Sequence, residues 1–546
     1  MEEQSLHTLD FAVVAGYFLL VFGLAAYLIR KENKKSNTAA TSRYFLGGKN
    51  LGWFVIGASL FSSNIGSEHL VGLAGAGASG DFPAAQFEIL AAFMLLLLGW
   101  IFVPFYLRSG VFTMPQFLDL RYGSWAKNYL TWVSVIAYVL TKISVTIAAG
   151  GIIFTAFLQV DFWTGSILIV LATGLYTVLG GLRAVAYTDA IQMFILIGGA
   201  LALSYYGLNA LGGWEGLQQR TEPAYLSLWR GMQDEAFPWT GVLLGAPILG
   251  IWYWCTDQFI VQRVLAAKNI DQARKGTLFA GYLKLLPLFI FVLPGVMAYA
   301  LSQGPNPLLE FPTLNGEKVY DAALPLLSMQ LLPSGLKGLV IAGLIAALMS
   351  SLSSVFNSCS TLFTLDIYQK YHPQASEKKL VQVGQLATVV LVILGLAWIP
   401  MLNALDGGLF QKIQSIQSYI SPPIAAVFLL GLFVPKLNAL GAKYALLSGA
   451  LLGCLRLTLE LNKSQLQGVW LYFAEINFLH FALFLFLFCV LILVVVSFLT
   501  QQQSSKHINQ IEPIRLRALL KTDSKLTPTL SAVLLLLIAI IWYVFQ

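Results

Sequence analysis

Charge is what this chain has least of. Only 11% of its 546 residues are Asp, Glu, Lys or Arg, where soluble domains carry about a quarter. A large water-solvated surface is therefore excluded. Cysteine is scarce as well. The four present (Cys255, Cys359, Cys454 and Cys489) all fall in or beside apolar runs, at no metal-ligand spacing. They are expected to be packing residues, not a disulfide framework. No P-loop, metalloprotease helix, nucleophile elbow or potassium-filter-like run occurs. Without a nucleophile–base set, an enzyme is not expected. Without an ATP site, any work must draw on an ion gradient. The first residues, MEEQSLHTLD, are acidic where a signal peptide needs a basic region, so no cleavable leader is expected. The net charge of +7 is spread over short loops, which offers nucleic acid no patch.

What is abundant is apolar surface. Hydrophobic residues make up 57% of the chain, and the mean hydropathy is +0.74. A membrane span needs roughly 20 apolar residues. Runs of that kind predict about fourteen spans, near 8–29, 52–77, 83–107, 125–158, 162–179, 185–207, 240–257, 276–302, 322–367, 379–403, 408–434, 441–459, 471–500 and 526–545. The run 322–367 is too long for one span and is expected to include extra helix outside the bilayer. Placing the loop RKENKKSNTAATSRYFLGGKN inside, with alternate loops after it, collects most of the 33 basic residues on one side. The positive-inside rule then puts both termini outside.

Ionisable groups inside spans cost roughly 2.5–3.5 kcal/mol each at the centre. Here they concentrate. The second span holds ASLFSSNIGSEHLVGLAGAG (58–77), with Asn64, Glu68 and His69 among glycines and serines. One reading is an unwound helix whose carbonyls bind an ion or substrate. The other is small residues for close helix packing. Glu88 lies in the third span, where the alternative is an interfacial carboxylate. Tyr253, Trp254 and Asp257 end another span, as a ligand-stacking face or as an interfacial aromatic belt. Lys284 reads as a buried cation or as a snorkelling lysine. Ala347, Ser350, Ser351 and Ser354 share one helical face, which would ligate a small hard cation or pack helices. Asp189 begins a further span. Gln414 and Gln417 precede the pair Pro422–Pro423, which is expected to break the helix. Together these groups describe a polar pocket near the bilayer midplane. Helices broken near 62–69 and 246–254 would build it, as in secondary transporters with inverted repeats.

The chain resembles the sodium:solute symporter family, and within it the sodium–glucose cotransporters. The stretches that carry the resemblance are GASLFSSNIGSEHLVGLAGAG (57–77), VFTMPQFLDLRYG (111–123), GGLRAVAYTDAIQ (180–192), IWYWCTDQFIVQRVLAAKN (251–269), GYLKLLPLFIFVLPG (281–295), LMSSLSSVFNSCSTLFTLDIY (348–368) and IQSIQSYISPPIAAVFLLG (413–431). The resemblance implies an all-α polytopic membrane protein of about fourteen helices with a leucine-transporter-like 5+5 inverted-repeat core. It implies a single transporter domain over 1–546, with a peripheral N-terminal helix at 8–29, the core at 52–434 and additional helices at 441–545. Long extracellular insertions of some animal members look absent, which points to a bacterial inner-membrane protein.

The same resemblance implies a sugar site of Asn64, His69, Glu88, Tyr253, Trp254, Lys284 and Gln414. Leu73, Phe87 and Phe410 fall at outer-gate positions and Tyr253 at the inner gate. Sodium would bind carbonyls of Ser62, Ile65 and Ala347 with hydroxyls of Ser350 and Ser351. A second sodium site would use Ser63, Asp189, Ser353 and Ser354. Sodium is then the coupling ion, with no cofactor. The implied partners are a sugar, sodium and membrane lipid, with no obligate protein partner. Gln417 stands where glucose-transporting animal members carry threonine, and Gly250 replaces a polar side chain of relatives, so the sugar stays open. So do transport of another solute such as myo-inositol, and a sugar-gated sensor or channel without net uptake.

Overall fold

The computed structural model describes residues 6–32, 39–314, 316–402, 409–500, 522 and 524–546. Backbone polar groups in lipid must be satisfied within their own segment, and the chain is accordingly helical almost throughout. Among the described residues, the strands form one two-residue hairpin, with Thr313 opposite Lys318 and Leu314 opposite Glu317. Ten helices among the described residues are long and apolar enough to cross a membrane.

Burial separates an inner set of helices from an outer one. The apolar window of Leu336–Tyr371 is 94% buried, against 22% for Thr8–Lys31 and for Leu526–Val544. The serine-rich helix Leu336–Leu362 is thus central and packs most extensively on Phe162–Leu211. Outward leucines such as Leu19, Leu171 and Leu175 are more than half exposed, a surface suited to hydrocarbon and not to water.

Phe162–Leu211 covers both spans read near 162–179 and 185–207. Gly181, at φ 56° and ψ −162°, kinks it. A side chain there would adopt a left-handed φ and place its Cβ 2.4 Å from the Tyr44 carbonyl oxygen, so only glycine fits. The run 322–367 resolves into a short helix, Ala323–Leu331, and the long helix from Leu336.

The polar second span is two helices, Trp53–Asn64 and Ser67–Ser79, separated at Ile65 and Gly66. Both readings of its glycines hold, at different places. Gly66 lies in the break, while Gly75 and Gly77 lie inside the second helix as contact points. A Cβ on Gly77 would sit 2.1 Å from the Val292 carbonyl oxygen, and one on Gly295 would sit 1.9 Å from that of Ala74. Ser67–Ser79 and the helical stretch Leu288–Val292 and Leu293–Leu301 thus meet backbone to backbone. Gly295→Ala is therefore expected to destabilise the protein by at least about 1–3 kcal/mol, read as a lower melting temperature in detergent. An unchanged melting temperature would show that the helices are not in this contact.

Three expectations are corrected. The second broken element is not interrupted within 246–254. It runs as helix through Ala246–Gly250 and a π-helical turn, Ile251–Thr256, and breaks at Asp257, whose ψ is 128°. The Pro422–Pro423 pair does not break its helix, which is continuous over Leu409–Phe433. Neighbouring helices tolerate such prolines in membranes, and Gly449 clears the space, since a Cβ there would lie 2.4 Å from Pro423 Cγ. Finally, Cys255, Cys359 and Cys489 are buried packing residues, but Cys454 is exposed on the outer face of its helix.

Candidate functional site

Asn64 closes the first half-helix of the broken span. Glu88 lies one turn into Ala85–Leu97, and Lys284 caps the end of Ile270–Leu283. The structure brings these three together. The Lys284 ammonium donates to Asn64 Oδ1 and to Glu88 Oε2. Lys284 is fully buried and Glu88 is 4% exposed, so neither snorkelling nor an interfacial carboxylate describes them. The Asn64 amide donates to the Tyr253 hydroxyl at 2.9 Å. Trp254 meets Tyr253 edge-on with ring centroids 5.2 Å apart, and the Lys284 ammonium lies 5.2 Å from the Trp254 ring. Burial in low dielectric makes such a network costly to break.

The remaining sugar-site candidates are placed less tightly. His69 is half-buried in the first turn of Ser67–Ser79, and Gln414 is buried near the start of Leu409–Phe433. Gln414 makes no hydrogen bond to Asn64, Glu88 or Lys284. Of the outer-gate candidates, Leu73 is fully buried and Phe87 rests edge-on against Phe237 at 6.2 Å. The side chains of Phe410 and Glu68 lie outside the described residues.

The helix break also prepares backbone oxygens. In an unbroken helix Gly66 N–H would serve the Ser62 carbonyl and His69 N–H that of Ile65. Here they donate to Asn64 O and Gly66 O instead. The Ser62 and Ile65 carbonyls are freed of those helical donors. Ser351 Oγ donates to the Ser63 carbonyl at 3.1 Å, which ties the serine helix across the break. Ser350 Oγ is buried with no hydrogen-bond partner. Neutral hydroxyls and carbonyls of this kind suit a small hard monovalent cation.

A second knot lies alongside. Asp189 is fully buried, two turns past the Gly181 kink. Its Oδ2 accepts from Ser59 at 2.5 Å and Ser63 at 3.1 Å, while Oδ1 has no partner. Ser354 Oγ donates to Ser63 Oγ at 3.0 Å. Of the four residues named for a second ion, Ser63, Asp189 and Ser354 are joined. Ser353 donates back to its own helix, at Ser350 O, 3.0 Å away.

Reading the sequence passed over two charged residues at this site. Arg263 is fully buried beside Asp189, with Nη2 at 3.6 Å from Oδ2. Lys142 pairs with Asp257 at 3.0 Å and lies 4.5 Å from the Tyr253 ring and 3.9 Å from that of Phe259. Lys142 is a charge inside the apolar run 125–158, a signal that marks a residue as costly to bury, whereas Arg263 falls between the runs at 240–257 and 276–302 and carries no such signal.

Comparison with known proteins identifies the family. The family model described as the sodium:solute symporter family matches residues 44–449. The chain is 40% identical over 525 residues to sodium/glucose cotransporter 4 of Mus musculus, covering 91% of this chain and 76% of that one. It is 39% identical over 567 residues to sodium/myo-inositol cotransporter 2 of Oryctolagus cuniculus, covering 97% and 83%. Its fold resembles that of a sodium-coupled sialic acid symporter in a substrate-bound outward-open state, with TM-score 0.76 at 21% identity over 90% of this chain and 98% of that one. These relatives are transporters, not enzymes.

Proposed function

Because this chain belongs to the sodium:solute symporter family, and sodium-coupled transport across a membrane comes with that membership, we propose that its solute is a monosaccharide of the glucose or galactose type, imported by alternating access. The observation that carries the reading is the buried Asn64–Lys284–Glu88 cluster against Tyr253. One lysine and one carboxylate balance, so a charged solute would leave a buried charge uncompensated. The amide, ammonium and carboxylate suit the hydroxyls of a neutral polyol. Tyr253 and Trp254 offer ring faces to its C–H surface. His69 and Gln414 complete the sugar site in this reading, with Leu73, Phe87 and Phe410 as the outer gate and Tyr253 as the inner one.

Sodium takes Ser62, Ile65, Ala347, Ser350 and Ser351, and a second ion takes Ser63, Asp189 and Ser354, with Ser353 behind them. Sodium bound across the break orders Asn64 and its neighbours, so it raises sugar affinity, and sugar raises sodium affinity by the same factor. The stretches 53–79, 124–158 and 239–265, with the two arms of the kinked helix, raise the ten candidate helices to fourteen. They fit a leucine-transporter-like 5+5 core over 52–434, with both termini outside, in a bacterial inner membrane.

A second reading, myo-inositol as solute, is favoured by the rabbit relative, a sodium/myo-inositol cotransporter. Sodium-dependent uptake into proteoliposomes, competed with sugars, polyols and amino acids, separates the two. Competition by hexoses alone supports the first reading and stronger competition by myo-inositol the second. Competition by amino acids, or sodium current without net uptake, overturns both. In the same vesicles Ser351→Ala is expected to raise the half-saturating sodium concentration about five-fold or more. Unchanged sodium dependence would remove Ser351 from the ion site.

A further inference from the structure

We propose that Arg263 is a tethered cation that shares Asp189 and Ser354 with transported sodium, so that ion and guanidinium displace one another in each cycle. The inference rests on the reading of Ser63, Asp189 and Ser354 as sodium ligands.

Three observations carry it. First, the fully buried guanidinium uses the oxygens that a second ion would need. Its Nη2 donates to Ser354 Oγ and lies 3.6 Å from Asp189 Oδ2. Its Nε donates to Ser59 Oγ at 2.8 Å, and Ser59 in turn donates to Asp189 at 2.5 Å. Second, the knot has acceptor capacity to spare. Asp189 Oδ1 and Ser350 Oγ are buried without partners. A buried oxygen left so is costly, and it marks where a cation with no hydrogens to donate would settle. Third, the charges count. Asp189 and Arg263 sum to zero, and a sodium ion makes the knot positive. Sodium therefore binds against the arginine and leaves with its help, and the emptied site closes as a neutral pair.

The tether gives the exchange a mechanical reading. Arg263 stands on Gln258–Leu265, the helix that starts at the Asp257 break. Its Nη1 donates to the Phe259 carbonyl, and its guanidinium lies 5.5 Å from the Phe259 ring. That ring is 6.2 Å from the ring of Tyr253, which bonds Asn64. Displacing the guanidinium is thus felt at Phe259 and, through it, at the tyrosine beside the sugar site.

Removing the charge is expected to tighten sodium binding, which a purely structural role would not do. Arg263→Gln should lower the sodium dissociation constant of the purified protein about five-fold or more. It should also leave an uncompensated carboxylate in the empty carrier. Net sodium-driven uptake then falls while sugar exchange, with saturating sodium on both sides, persists. Arg263→Lys keeps the charge and is expected to restore the weaker sodium affinity. Sodium affinity unchanged or weakened in Arg263→Gln, with exchange intact, overturns the inference. So does a lysine variant that tightens sodium as much as the glutamine one. Should Arg263→Gln fail to fold, the charge-balanced Asp189→Asn/Arg263→Gln protein decides. Net uptake in this double variant above that of Asp189→Asn alone supports the proposal, and uptake no higher overturns it. One sodium ion bound per unaltered chain would remove the second site and the inference with it. Two ions bound with an affinity indifferent to Arg263 would overturn the inference alone.

Discussion

Lys284→Ala is expected to abolish sodium-driven sugar uptake and to lower the melting temperature in detergent together. The ammonium is fully buried and contacts both Asn64 and Glu88. Deleting it leaves the Glu88 carboxylate 4% exposed and without its counter-charge. Breaking a buried pair by removing one partner costs about 3–5 kcal/mol, a large share of the roughly 5–15 kcal/mol that holds a domain together. The pair also positions Asn64, whose amide holds Tyr253 at 2.9 Å, so the proposed sugar site and the proposed gate residue lose their anchor together. Lys284→Met/Glu88→Gln separates the two effects. It removes both charges, so stability is expected to recover in large part while uptake stays absent. Wild-type uptake in Lys284→Ala would remove the cluster from the sugar site. Failure of the double variant to recover stability would show that the single loss did not come from an orphaned carboxylate.

Asp189→Asn has the next largest effect, on the thermodynamics of transport and not on its existence. If the proposed second ion is carried, the variant is expected to lower the sodium-to-sugar flux ratio from two towards one. Each charge moved through 100 mV contributes about 2.3 kcal/mol, so losing one ion lowers the maximal sugar accumulation about 50-fold. Flux ratios from dual-isotope uptake in proteoliposomes at a clamped potential measure this directly. The Ser62, Ile65, Ala347, Ser350 and Ser351 site is built from neutral oxygens, so uptake itself should continue. A flux ratio equal to that of the unaltered protein would show that Asp189 holds no transported ion. Asn keeps an oxygen for Ser59 and Ser63, which now bond the carboxylate at 2.5 and 3.1 Å, but it leaves the buried Arg263 without its counter-charge, so a lower melting temperature and a slower uptake are expected alongside and the flux ratio, not the rate, is the readout.

Both predictions depend on groups whose types were visible in the chain and whose meeting was not. Glu88, Lys284 and Asn64 stand out as polar residues in apolar runs, yet Lys284 is 220 positions from Asn64 and 196 from Glu88. No periodicity relates them. Resemblance to a family, more than spacing, assigned their roles. Arg263 was missed although it lies in a stretch quoted for that resemblance. Its carboxylate partner, Asp189, stands far away in the chain, and a charge seen alone does not reveal a distant partner.

The breaks teach the same lesson. The glycines of 58–77 suggested an unwound helix, but Gly66, in the break, has φ −81° and ψ 174°, ordinary extended backbone that any residue adopts. What holds that break open is tertiary: Ser351 on the Ser63 carbonyl and Ser62 Oγ on the Asp189 carbonyl at 2.8 Å. Pro422 and Pro423 looked like certain breakers, but their helix continues, as membrane helices packed among neighbours allow, and Gly449 on the facing helix leaves room for the proline rings.

The sequence by itself determined that this is a helical membrane protein and which residues are too polar for lipid. Those are properties of single segments, since insertion depends on run length and on backbone satisfied locally. Tertiary structure alone decided where helices break, which serines gather at the break and which charges pair. Each of those outcomes is the choice of one partner among many distant ones, and a buried polar group takes whichever partner packing brings within hydrogen-bond reach.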